Sequence, residues 1–139
     1  MAADDWLFPQ PPIVPKFSLF LDEDRFRREL RRLRLSDWRD AQFASPNGAQ
    51  VLFLEHKSDH LAIVSVDRKM AKSRPYRVEV YGLLVHEAVH IWQHARDRMK
   101  EKNPGGEHEA YTVQHIAQAL MHRYDELVAP ARRGTRKEP

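Results

Sequence analysis

Any fold of this chain has to be built around the segment between Pro75 and Lys100. Within it, Val78, Val80, Leu83, Leu84, Val85, Val89, Ile91 and Trp92 cover most of a helical circumference. A helix that is apolar on nearly all sides is stable in water only when other elements wrap it. The segment therefore predicts a central helix over about 76–100, opened by Pro75 and stopped by Asn103-Pro104-Gly105-Gly106. Its last two turns become polar, so one end of this helix should reach the surface.

The rest of the chain supplies what could wrap it. With 139 residues, 42% hydrophobic and 31% charged, a single domain is expected over 17–129. Residues 1–16 carry Pro9, Pro11, Pro12 and Pro15 and read as an extended arm, whose Trp6, Leu7, Phe8, Ile13 and Val14 should pack onto the domain. Residues 130–139 read as a basic flexible tail. An amphipathic helix is predicted over 22–35, capped by Asp22 and presenting Phe26, Leu30 and Leu33. Ser36-Asp37 could open a short helical turn, and Ser45-Pro46-Asn47-Gly48 is a turn signal. Residues 51–54 and 61–66 read as an antiparallel hairpin joined by a polar loop at 55–60, and 67–74 as a charged connection. A last helix over 107–127 would present Ala110, Val113, Ala117, Leu120, Met121 and Tyr124 to the core. The predicted class is α+β.

Composition excludes several function classes. There are no cysteines, which removes disulfide scaffolds, thiolate metal sites and cysteine nucleophiles. No apolar run reaches membrane-spanning length, and no basic segment followed by an apolar block opens the chain, so the expected location is the cytoplasm. The net charge is +3. Much of it comes from Arg25, Arg27, Arg28, Arg31, Arg32 and Arg34, with Arg132, Arg133, Arg136 and Lys137 as a second group. Asp22, Glu23, Asp24 and Glu29 dilute the first group, and it reads as a solvated helix face ahead of a nucleic-acid surface.

The central segment also carries chemistry. His86-Glu87-Ala88-Val89-His90 places two imidazoles about one turn, or roughly 6 Å of rise, apart on one helical face, where both can reach a single metal ion. The carboxylate between them is positioned as a general base for metal-activated water. Large apolar neighbours predict that the histidines lie near the core and away from bulk water. Catalytic zinc takes three protein ligands, and Glu107 and Glu109, just after the Pro-Gly-Gly turn, are both candidates for the third. His94 continues the four-residue step and reads as a solvent-facing or supporting histidine; His56 and His60 read as turn residues.

His86-Glu87-x-x-His90 followed by Glu107-x-x-Ala110-Tyr111 resembles the zincin metallopeptidases of the glutamate-ligand (gluzincin-like) type, and is similar to small zincin-like proteins of bacteria and phages. The likeness spans about residues 76–125. It implies a minimal zincin-like fold, one Zn2+ held by His86, His90 and Glu107, and Glu87 as general base in hydrolysis of a peptide or protein substrate. Where many relatives carry Asp four residues after the ligand glutamate, this chain has Tyr111, so the hydrogen bond that orients a ligand histidine comes from elsewhere or from the phenol. Candidate donors to the oxyanion are Tyr111, His115 and Tyr124. A substrate strand could add along the hairpin near 61–66. Two alternatives stand beside this reading: a zincin-like domain with structural zinc and no catalysis, and a basic module binding nucleic acid or an acidic partner.

Overall fold

The computed structural model describes Trp6 and residues 14–73, 77–99 and 105–129. Its elements run β1 (Lys16–Phe20), α1 (Glu23–Arg32), β2 (Ala49–His56), β3 (Asp59–Val66), α2 (Arg68–Ser73), α3 (Val78–Met99) and α4 (Gly106–Val128). The class is α+β, as expected. The sheet, however, has three strands in the order β1-β3-β2, with β3 antiparallel to β2 and parallel to β1. The last residue assigned to the arm, Lys16, is in fact the first of a strand and pairs with Leu61.

Strand β3 is buried on both faces, and its two-residue alternation sorts the core into two clusters. Ala62, Val64 and Val66 join Phe17 and Leu19 of β1 against α3 and α4. Leu61 and Ile63 point the other way, joining Phe20 of β1 and Phe26, Leu30 and Leu33 of the α1 region. The sheet is thus a middle layer, with α1 on one side and the α3–α4 pair on the other.

The hairpin is tighter than its polar residues predict. Lys57 and Ser58 have φ of 48° and 70°, and His56 pairs with Asp59, so two residues in the left-handed region make the turn and both strands run up to it. This arrangement matches the twist of the flanking strands. Neither residue is Gly or Asn, which is why 55–60 reads as a longer loop.

At α1, Asp22 occupies the cap position, but its side chain makes no capping hydrogen bond. Its carboxylate instead takes a two-pronged ion pair from Arg68, which donates from Nη2 at 2.7 Å and from Nε. The helix stops at Arg32, earlier than predicted, because Arg34 turns left-handed (φ 57°) and the Leu35 amide donates back to the Leu30 carbonyl. Residues 68–73, expected as connection, form α2, with the Asp67 side chain accepting from the Lys69 amide.

Helices α3 and α4 lie antiparallel. The Tyr81 hydroxyl donates to Asp125 at one end, and the Trp92 indole donates to Glu109 at the other. Val80, Leu84, Ala88, Ile91, Trp92 and Ala95 are buried from α3, but Val78 is 80% exposed, so the helix is not wrapped on every side. From α4 the inward residues are Thr112, Ile116, Ala117, Leu120 and Tyr124; Ala110, expected in that stripe, is exposed. Among the described residues no helix is long and apolar enough to cross a membrane. The arm expected over 1–5 and 7–13, the helix start at Pro75, the stop at Asn103-Pro104 and the tail expected over 130–139 lie outside the described residues.

Trp6 does pack on the domain. Its ring sits in the α1-side cluster, and its indole N–H donates at 3.0 Å to Glu29, a fully buried carboxylate that also takes an ion pair from Arg32. Removing the donor alone leaves a buried carboxylate short of a partner, while removing the ring also opens a cavity. Trp6→Phe should therefore cost about 1–3 kcal/mol and Trp6→Ala about 3–5 kcal/mol, as read from urea unfolding midpoints.

Candidate metal centre

The four-residue step on α3 brings His86 and His90 together. Their Nε2 atoms lie 3.1 Å apart, with ring centroids 4.7 Å apart and planes at 75°. Two imidazole nitrogens bound to one tetrahedral zinc at about 2.0–2.1 Å are separated by about 3.3–3.4 Å. At this distance one ring N–H donates to the other ring nitrogen, the tautomers setting which, and the same spacing is close to one edge of such a tetrahedron. Both histidines are exposed, which corrects the expectation that they lie near the core: α3 is covered on the face of Leu84, Ala88 and Ile91, and the histidines sit on the flank beside it.

Glu87, between them in sequence, turns inward and is only 4% exposed. Among the described residues its carboxylate has no hydrogen-bond or ion-pair partner. Burial pushes its pKa above the ordinary carboxylate value, and the neighbouring His86 and His90 pull it part of the way back. An acid that is desolvated yet flanked by two imidazoles holds protons more readily than a surface glutamate, which suits proton exchange with a ligand near those rings.

Across the helix pair, Glu109 is committed to Trp92, whose indole N–H donates to it at 3.0 Å, and the His108 ring meets the same indole edge-on at 5.5 Å. Glu107 is exposed on the first turn of α4 and has no hydrogen bond or ion pair among the described residues. The structure does not gather it with the histidines: among the described residues no three His, Asp or Glu side chains form a metal-sized group. Tyr111 is 67% exposed, and His115 is exposed as well. Tyr124, the third candidate donor, is fully buried against Tyr81, with centroids 6.1 Å apart, and so is part of the core.

Sequence reasoning missed two local arrangements. The first is the Trp92 clamp on Glu109, for which the only signal was an indole and a carboxylate on facing helices. The second concerns His94, whose ring stacks flat on Phe53 at 4.0 Å and meets His60 edge-on at 5.8 Å. His60 is in turn 3.1 Å from Glu55, so it serves as a strand residue joining β2, β3 and α3, and not as a turn residue. The predicted substrate edge also moves. Residues 61–66 belong to the central strand, and among the described residues the unpaired edges are the outer ones of β1 and β2.

His94 provides a titration that can be tested. Burial lowers its pKa below the ordinary 6.5, His60 and Arg98 lower it further, and Asp97 opposes them. The folded chain thus keeps this ring neutral at pH values where the unfolded chain protonates it, so the stability it contributes is complete above about 6.5 and is lost as pH falls through the lowered value. Stability measured by urea unfolding should fall between about pH 7 and pH 5. His94→Phe, which keeps the stack on Phe53, should show a shallower fall over the same range.

Compared with known proteins, the chain matches no family model, no curated protein and no solved structure.

Proposed function

We propose that this chain is a small zinc-dependent hydrolase of the peptidase type acting in the cytoplasm, with His86 and His90 as zinc ligands, Glu107 as the third ligand and Glu87 as general base. The observation that carries this reading is the 3.1 Å separation of the two Nε2 atoms, beside a buried carboxylate that has no partner among the described residues. Histidine and carboxylate donors suit zinc in a chain without thiolates. When bound, zinc supplies an acidified water and a Lewis acid for a substrate carbonyl.

The protein's own part is positioning and proton transfer. The buried stripe of α3 fixes the helix backbone, and the four-residue step then sets His86 and His90 side by side on its exposed flank. Glu87, with its raised proton affinity, accepts a proton from water and returns it to the leaving amine. Glu107 is favoured over Glu109 because the Glu109 carboxylate is already engaged by Trp92. Of the candidate oxyanion donors, Tyr111 and His115 are exposed on α4, and the Tyr111 phenol is assigned the role. An extended substrate would add to the outer edge of β2, the strand whose Phe53 touches α3 at His94.

Elemental analysis of protein purified from zinc-replete medium should find about one zinc per chain, lost in His86→Ala/His90→Ala. Glu107→Gln should weaken zinc retention about tenfold or more, and Glu109→Gln should leave it unchanged. Glu87→Gln should keep the metal and lower peptide hydrolysis by about 100-fold or more. Wild-type protein without zinc would sink the proposal, and hydrolysis undiminished in Glu87→Gln would leave zinc a structural role only.

A further inference from the structure

On the opposite side of the sheet from the histidine pair, α1 and the turn after it form a surface that the hydrolase reading does not use. Residues 23–40 hold seven of the chain's sixteen arginines and none of its seven lysines. A face needed only for solubility has no reason to exclude lysine. Guanidinium differs in being planar, in stacking on aromatic rings and in presenting paired donors to phosphate.

The structure sorts these arginines into two groups. Arg32 pairs with the buried Glu29, while Arg27 pairs with Glu23 and donates at 2.8 and 3.2 Å to the carbonyls of Trp38 and Arg39, tying the turn onto the helix. Arg25, Arg28, Arg31, Arg34 and Arg39 are exposed and have no ion pair among the described residues. The tie made by Arg27 brings Trp38 between two of them: the guanidinium carbons of Arg31 and Arg39 lie 5.1 and 5.0 Å from its ring centre. Stacking on a half-buried indole restricts both side chains before any ligand binds, which lowers the entropy lost on binding. Of the exposed acids on this stretch Glu23 is taken up by Arg27, which leaves Asp24, Asp37 and Asp40 against the five open arginines, a net excess of positive charge.

From this juxtaposition we infer that the outer face of α1 and the 36–40 turn binds the phosphodiester backbone of a nucleic acid, with Arg28, Arg31 and Arg39 as its centre and Trp38 as the plate that orders them. Charge complementarity selects a polyanion, and stacked guanidinium selects phosphate oxygens. An anionic membrane is the poorer match, because among the described residues the exposed large apolar side chains Val78, Val85 and Tyr111 all lie on α3 and α4 and none on this face. An acidic protein would lack an apolar anchor here, since Trp38 is already covered by the two arginines. Contacts of this kind fix register on the backbone and read no sequence.

The test is fluorescence anisotropy of the full chain with a labelled mixed-sequence oligonucleotide of about 16 nucleotides, single-stranded and duplex, at salt between about 50 and 200 mM. Wild type should bind and weaken steeply with salt. Arg28→Gln/Arg31→Gln/Arg39→Gln should weaken binding at least about tenfold and reduce the log–log salt slope by about 2 on the single strand. Trp38→Ala should weaken it less, and Trp38→Phe less still. His86→Ala/His90→Ala should bind as wild type, which separates this proposal from the zinc reading. Circular dichroism of the variants, all altered at exposed or half-exposed positions, should match that of wild type and so separates lost binding from lost folding. Absence of binding at about 50 mM salt, full binding by the triple arginine variant, or equal affinity for polyglutamate or phosphatidylserine vesicles would overturn it.

Discussion

Burial of β3 on both faces is the constraint on which the rest of this structure depends. From Leu61 to Val66 no side chain reaches solvent appreciably, and a strand in that position needs a neighbour on each edge and a layer over each face. β1 and β2 supply the edges; α1 covers one face, and α3 with α4 covers the other. Trp6 completes the α1 side. Because two separate clusters rest on one strand, a change at Ile63 loosens the arginine-bearing layer, and a change at Val64 loosens the layer that carries the histidines.

Long-period features of this architecture were legible in the sequence, and pairings between distant residues were not. The apolar periodicity of α1, α3 and α4 and the continuous run of β3 report burial directly, so the elements and the coarse class follow from them. β1 escaped because Lys16–Phe20 follows a proline-rich stretch and pairs in parallel with a strand far along the chain, a contact with no local signature. The turn at Lys57-Ser58 escaped because its residues are not those that usually take positive φ. Asp22 shows the limit of cap rules: a carboxylate suited to a helix N-terminus found a better partner in Arg68, forty-six residues away in sequence.

At the candidate centre the same division holds. The i, i+4 spacing of His86 and His90 is helical arithmetic, and the two rings do meet. Their exposure is not legible in the sequence, because large neighbours such as Val85 and Val89 suggest burial on that flank. Val85 is in fact 38% exposed. Between Glu107 and Glu109 the resemblance favours Glu107, and the facing helix adds what no local pattern shows, that Trp92 engages Glu109. Facing-helix partners depend on crossing geometry, which no single segment encodes.

The inward turn of Glu87 follows from the same helix that exposes the histidines. On a 3.6-residue period, position 87 shares a face with Leu84 and Ile91, so a residue flanked by two solvent-facing rings is carried into the core stripe. Shielding a carboxylate from most of the solvent is costly, and a chain selected for stability alone would place an apolar residue there. The cost is tolerated next to two imidazoles whose nitrogens are set at a metal-chelating distance, and this is the point where local physics and fold stability disagree. Conflicts of that kind concentrate at sites retained for chemistry. α3 therefore does two things that oppose each other: its buried stripe fixes the core, and the one acid within that stripe is held where burial raises its proton affinity.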